Sequence, residues 1–344
     1  MANNKNNKLM ALLSVWGIIL VLIGHSGFEE SEIQQKLHVL HGWIYSFHMP
    51  LFFMISGYLF SLTNKNFTGI KTGKFLQKKI TRLIVPYLTL GTILWGIKYT
   101  FSGFSHATRD FSTGTFLKMF IAPGCDGSTM GYLWYVFTLF MIFSVVVVLN
   151  KIHIDMKKSG WCIGVMLVFW LMWGLFPKII WVNWSIVCRD LPFFVAGILL
   201  HKYEPKILTL INKGGGKCNL IILSSFSICL QFFDLPVGTT INYIFKAFVG
   251  LIMSIQLCSM LLKYKWVERY LLPLGQYTYS IYLLSWFGHY AAKILLVNVL
   301  HMHWGIVMLG MFIGGLLLPL IICRIVDKSD WLSKQKWLRI VIGY

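Results

Sequence analysis

Seven ionisable side chains stand inside stretches of the chain otherwise built from Leu, Ile, Val, Phe and Met: His25, His48, Arg189, Asp190, Lys246, His289 and Lys293. His289 and Lys293 are four residues apart and so share one face of a helix. Imidazole titrates near neutral pH, with an ordinary pKa of ~6.5, and is the natural general base for activating a hydroxyl. A cationic or hydrogen-bonding neighbour can then hold a developing oxyanion. The set therefore fits acyl transfer to a hydroxyl. It also fits a polar cavity in a transporter or flippase for a glycan, and the residue types alone leave both open. Other chemistries lack their parts. The chain has no HExxH, P-loop, GxSxG or Gly-rich dinucleotide turn. Asp190 is the one carboxylate placed away from the ends of the apolar stretches, so paired-acid chemistry is not expected, and no metal-ligand spacing is present. The seven cysteines include no CxxC pair. Cys162, Cys229, Cys258 and Cys323 lie within apolar runs as small hydrophobes. Cys125 and Cys188 are the remaining candidates for a disulfide, with thiols the expected state.

Composition says what must position these groups. Of 344 residues, 57% are hydrophobic and only 12% charged, and the mean hydropathy is +0.68. The charged share is about half that of soluble domains. A soluble enzyme, a disordered chain and a disulfide-rich secreted domain are excluded, and an all-α polytopic membrane protein remains. A helix needs ~20 mostly apolar residues to cross a bilayer. Ten stretches qualify: 9–27, 41–62, 80–101, 131–149, 160–176, 184–200, 220–235, 241–262, 277–296 and 304–323. They are expected to form a single integral membrane domain over 1–344.

The net charge of +19 would suggest nucleic acid in a soluble protein. Here its distribution explains it. With a cytoplasmic N-terminus, 23 of the 31 basic residues fall on inner segments. That bias supports ten spans with both termini inside, and contact with anionic lipid rather than nucleic acid. All seven ionisable groups then lie in the outer halves of their helices, so a wet polar cavity open to the outside is expected. Lys246 and Lys293 have the simpler alternative of snorkelling to the headgroups. A signal-like start with Gly24-His25-Ser26 as a cleavage site is not the favoured reading. The stretch 102–130, rich in Gly, Ser and Thr, reads as a long outer connection, either a lid or a passive loop. Gly214-Gly215-Gly216 reads as an inner loop.

Six segments in order resemble the membrane acyltransferase-3 family. They are Val21 to His25 with Ser46-Phe47-His48-Met49-Pro50-Leu51-Phe52-Phe53 and Ile55-Ser56-Gly57-Tyr58; Lys78-Lys79-Ile80-Thr81-Arg82-Leu83-Ile84-Val85-Pro86-Tyr87; Leu133-Trp134-Tyr135-Val136; Leu191-Pro192-Phe193-Phe194-Val195-Ala196-Gly197; and Tyr279-Ser280-Ile281-Tyr282-Leu283-Leu284. The FHMPLFF and ISGY forms are closest to the fucose O-acetylase-like branch. Two departures are visible. The first helix carries no charge over 12–17, and Ser285 stands where many members have His, with His289 one turn later.

The resemblance implies an O-acyltransferase with acetyl-CoA as co-substrate, no permanently bound cofactor and a carbohydrate acceptor. It maps the catalytic base onto His25, with His48 as a second base or orienting group. Lys79, Arg82 and Tyr87 are expected near the donor, with Arg82 meeting its phosphates or serving only as an inner-face anchor. Trp134 and Tyr135 are expected along the donor channel. Arg189, Asp190, Tyr282 and His289 are expected at the acceptor side, although Arg189 and Asp190 also read as a structural pair.

Overall fold

The computed structural model describes residues 2–26, 31–64, 72–100, 113–123, 131–176, 179, 181–212, 216–233 and 238–343. Among them there is no strand. The helices are α1 (Ala2–Gly24), α2 (Ser31–Thr63), α3 (Thr72–Lys79), α4 (Val85–Thr100), α5 (Thr113–Ile121), α6 (Trp134–Lys151), α7 (Ser159–Leu175), α8 (Trp184–Asn212), α9 (Lys217–Cys229), α10 (Thr239–Leu261), α11 (Thr278–Lys293), α12 (Trp304–Lys328), α13 (Asp330–Ser333) and α14 (Lys336–Val341). Each of the ten apolar stretches falls on a helix. Seven helical segments among the described residues are long and apolar enough to cross a membrane, and α7 and α9 are shorter apolar helices. The 33-residue α2 has the length, but its apolar run is interrupted by His41, Ser46, His48 and Ser56. The protein is a multi-pass membrane protein.

Two expectations about element boundaries are corrected. The stretch 102–130 is not loop throughout. Thr113–Ile121 forms α5, because Phe116, Leu117, Phe120 and Ile121 recur at helical spacing, and the Phe116 ring packs 4.7 Å from Trp95 and 4.9 Å from Phe120. The helix expected to end at 200 continues as α8 to Asn212, through a break at Tyr203 (φ −110°, ψ 15°). Pro205, which has no N–H to give to residue 201, sits beside that break. Glu204 is thereby carried inside a helix and buried, so Asp190 is not alone as an interior carboxylate.

The chain divides into two compact units. The first comprises residues 1–61 and 196–324. In lipid, apolar side chains gain little by leaving the solvent, so helices associate through close packing and small residues. Three glycines illustrate the device in this unit. A Cβ on Gly250 would overlap the Phe47 ring, one on Gly197 would overlap the Met54 carbonyl, and one on Gly288 would overlap the Gly314 backbone. Leu20, Ile44, Phe47 and Met253 form the core between α1, α2 and α10. Indole N–H groups add directed bonds there, Trp16 to Ser254 Oγ at 3.2 Å and Trp43 to Ser227 Oγ at 2.9 Å. At one end of α1, Lys8 pairs with Glu268. Lower on α2, Tyr58 donates to Glu204 Oε2 at 2.9 Å and Ser61 Oγ meets His201 Nδ1 at 2.9 Å.

The second unit comprises residues 62–195 and 325–344. Its α6 packs on α3 and on the turn that follows α3, while α14 packs on α4. That turn, Ile80–Ile84, is π-helical, and Val85 N–H closes it onto Ile80 O. The physical cause is Pro86, which cannot donate to the carbonyl four residues back, that of Arg82. The ladder widens by one residue instead.

Candidate functional site

The first unit gathers three of the expected site histidines around the last turn of α1. α1 is an apolar helix whose final carbonyls lack partners further along the helix. Here the site residues supply them. Val21 O accepts the His25 N–H at 3.0 Å and Ile23 O accepts the Ser26 N–H at 3.0 Å. Leu22 O accepts from Ser26 Oγ at 2.6 Å, and Gly24 O accepts from Tyr45 OH at 3.3 Å. The turn that carries His25 is thus closed by groups from its own chain and from α2.

His25 is half-buried, and its ring meets two aromatics in perpendicular, edge-type contacts. The Trp286 ring centroid lies at 5.6 Å and that of Tyr45 at 6.3 Å, with interplanar angles of 84° and 77°. His48 and His289 are buried, at 3% and 2% exposure. His289, His48 and His41 all lie close enough to His25 to act on it electrostatically.

Backbone carbonyls lie against both buried rings. His48 Nδ1 lies 2.8 Å from Ile44 O, and His289 Nδ1 lies 2.8 Å from Ser285 O. A carbonyl oxygen only accepts, so Nδ1 carries the proton in His48. His289 has carbonyl oxygens against both ring nitrogens, Ser285 O at Nδ1 and Leu22 O at Nε2. His289 Nε2 points to the end of α1, 3.4 Å from Ser26 Oγ and 3.3 Å from Leu22 O. Its ring fits there because residue 315 is Gly, where a Cβ would overlap it. The position four residues after Ser285 therefore delivers an imidazole to the residue next to His25. Near His48, Pro50 removes the N–H that the Ser46 carbonyl would have received and loosens α2 at this level. Tyr282 is buried on α11, two helical turns before His289.

Ser26, Tyr45 and Trp286 escaped the sequence reading. For Tyr45 a signal existed: His41, Tyr45 and His48 recur at the 4 and 3 spacing of one helix face. No such local signal marks Ser26 or Trp286, which meet His289 and His25 only through packing of α1 against α11.

The second unit holds the remaining expected residues. Arg189 grips its neighbour Asp190 with two parallel bonds, Nε to Oδ1 at 3.0 Å and Nη2 to Oδ2 at 2.8 Å. Asp190 is fully buried. The guanidinium also lies over Trp134, 5.6 Å from the ring centroid. Trp170 Nε1 donates to Arg189 O at 3.2 Å. Trp134, expected on the donor side, is thus joined to Arg189, expected on the acceptor side. Tyr135 is buried in α6. Tyr87 is buried against Phe137 at 5.4 Å.

Lys79 and Arg82 differ although three residues apart. The Lys79 ammonium lies 3.8 Å from the centroid of Phe143 and 5.2 Å from that of Phe75. Arg82 sits in the π-helical turn and is exposed. Lys246 is half-buried on α10 and Lys293 half-buried at the end of α11. Cys188 is a buried free thiol, whereas Cys125 lies outside the described residues, as do Lys65, Arg109 and Lys178. No group of three or more metal-ligating side chains is assembled among the described residues.

Comparison with curated proteins and with solved structures finds no match. A family model described as an acyltransferase domain, Acyl_transf_3, matches residues 11–324. That range spans α1 to α12 and includes every residue of the histidine cluster. With nearly its whole length accounted for in this way, the chain belongs to the acyltransferase-3 family and is a membrane-embedded acyltransferase.

Proposed function

We propose that the enzyme transfers an acyl group, acetyl in the first instance, from an acyl-CoA thioester to a hydroxyl of an envelope, capsular or exopolysaccharide sugar. The motifs that resemble the fucose O-acetylase-like branch support the acceptor class. The observation that carries the reading is the gathering of His25, His48 and His289 at the end of α1. His25 accepts the proton of the acceptor hydroxyl. The hydroxyl oxygen attacks the thioester carbonyl carbon, a C–O bond forms and the C–S bond breaks. The CoA sulfur leaves with the proton that His25 collected. His48, with Nδ1 on the Ile44 carbonyl, orients His25 or the substrate, and His289 meets the end of α1 through Ser26 Oγ and Leu22 O.

Ten spans with both termini cytoplasmic complete the proposal. Donor phosphates are then met at the inner face by Arg82, whose guanidinium gives paired bonds to phosphate oxygens. Thioester turnover tests the function. Purified protein in lipid nanodiscs is expected to release CoA from acetyl-CoA and to label an O-acetyl-free polysaccharide. Uptake or flipping of glycan without any donor dependence would instead identify a transporter and overturn the reading.

A further inference from the structure

We propose that Tyr45 is the positioning residue of this site, locking the His25 ring and the end of α1 onto the histidine face of α2. Four independent contacts converge on it. Its ring stacks on His41 with centroids 3.9 Å apart and planes tilted by 31°. It meets His48 edge-on at 4.8 Å and His25 edge-on at 6.3 Å. Its hydroxyl donates to Gly24 O, the carbonyl immediately before His25. Gly24 permits the approach, since a Cβ there would stand 3.0 Å from Tyr45 Cε2.

These contacts have distinct physical roles. The hydroxyl bond ties down the last helical carbonyl of α1, so it sets where the backbone of His25 begins. The ring acts as a rigid wall. An aromatic edge carries partial positive charge and a face partial negative charge, so perpendicular pairs favour a fixed mutual angle. Trp286 provides a second perpendicular contact at 5.6 Å. An imidazole fixed by walls rather than by a bond to a carboxylate keeps its nitrogens for the reaction and still loses its rotational freedom. Orientation of this kind matters steeply, because a misplacement of about 1 Å can cost a reaction ~100-fold. Tyr45 bonds to the backbone and packs on rings, so it acts through His25 and not on the reacting atoms.

The inference rests on His25 being the base, and two measurements keep the two ideas apart. The first is the rate of His25 carbethoxylation by diethyl pyrocarbonate, read by mass spectrometry on the nanodisc-embedded protein, which needs no turnover. The second is the kcat and KM for acetyl-CoA. Tyr45→Leu, which removes the wall and the hydroxyl, is expected to raise the His25 modification rate about 5-fold or more. It should also lower kcat by roughly 10- to 100-fold with KM for the donor unchanged. Tyr45→Phe restores the wall and is expected to recover kcat to within about 5-fold of wild type, the residue of the loss reflecting the missing bond to Gly24 O. Because Phe is nearly isosteric, it remains informative if the Leu variant does not fold: wild-type kcat and wild-type His25 reactivity in Tyr45→Phe would then overturn the role of the hydroxyl. A Tyr45→Leu protein with unaltered His25 reactivity and kcat overturns the proposal outright. Altered His25 reactivity in a protein whose wild type releases no CoA would leave the positioning role standing and remove the transferase mechanism.

Discussion

The end of α1 and the start of α8 both place ionisable side chains among apolar ones, yet they settle them in opposite ways. At α1, three imidazoles are held by backbone carbonyls and aromatic edges. At α8, Arg189 and Asp190 close on one another through two parallel bonds, and Trp134 covers the guanidinium. A neutral ring with one nitrogen tied to a carbonyl retains a lone pair on the other. A bidentate ion pair engages both carboxylate oxygens and two guanidinium nitrogens, and breaking it in an apolar setting is costly. The lesson is that interior polarity is not uniform in meaning. On the proposed mechanism the α1 cluster exchanges a proton, whereas the α8 pair is expected to stay closed.

The comparison breaks most visibly if His25 is dispensable. His25→Ala is expected to lower acyl transfer by ~100- to 10,000-fold, the usual worth of a general base, while the protein inserts and melts as the wild type does. CoA release in nanodiscs, alongside a thermal melt, measures both. His48→Ala should reduce the rate less, since its Nε2 orients rather than transfers. Activity within a factor of a few of wild type for His25→Ala would move the chemistry elsewhere.

Asp190→Ala tests the other side. It strands the Arg189 guanidinium and is expected to destabilise the fold by about 3 kcal/mol, the low end for breaking a buried pair, because Arg189 is partly exposed. Chemical denaturation in mixed micelles reads this directly. If Asp190→Ala folds normally but loses transfer, the pair belongs to the acceptor site and the contrast with α1 is wrong.

A smaller effect separates Lys79 from Arg82. Arg82→Lys keeps the charge but not the bidentate grip, and is expected to raise the KM for acetyl-CoA by about 10-fold. Lys79→Met removes an ammonium that rests on Phe143, so it should cost about 1 kcal/mol of stability and leave that KM unchanged. The reverse pattern would assign the donor phosphates to Lys79.

The smallest effect concerns the lead-in to α8. Val182 is a β-branched residue at φ 50° and ψ 25°, a left-handed conformation that only Gly adopts without strain. The neighbouring Asn183 is buried and donates to Thr138 Oγ1 at 3.1 Å, which holds the turn in place. Val182→Gly is expected to raise stability by no more than about 1 kcal/mol, because relief of strain is offset by the greater freedom of Gly in the unfolded chain. A thermal melt compared with Asp190→Ala, in the same detergent, places the two on one scale.

Much of this protein was legible in its sequence for a simple reason: a bilayer leaves few options for the backbone, so apolar length and the rhythm of the chain already dictate helices. Each of the ten apolar stretches overlaps a helix, seven helical segments among the described residues being long and apolar enough to cross a membrane, and the motifs around His25, His48 and Arg82 pointed to the family that the whole-chain match establishes. Pro86, whose missing N–H accounts for the π-helical turn at Arg82, carried a local signal that the sequence reading left unused. What the sequence could not show was pairing between distant helices. That His289 reaches Ser26, that Trp286 and Tyr45 wall in His25, and that Glu204 meets Tyr58 each depend on which faces pack together. Those faces are chosen by van der Waals fit at Gly250, Gly288, Gly314 and Gly315, where a single Cβ would push the backbones or rings apart. Hydropathy and spacing carry no record of such fits, because they are properties of two surfaces in contact and not of either strand of residues alone. The helices were written in the chain, and the tertiary structure alone decided which of their polar residues met.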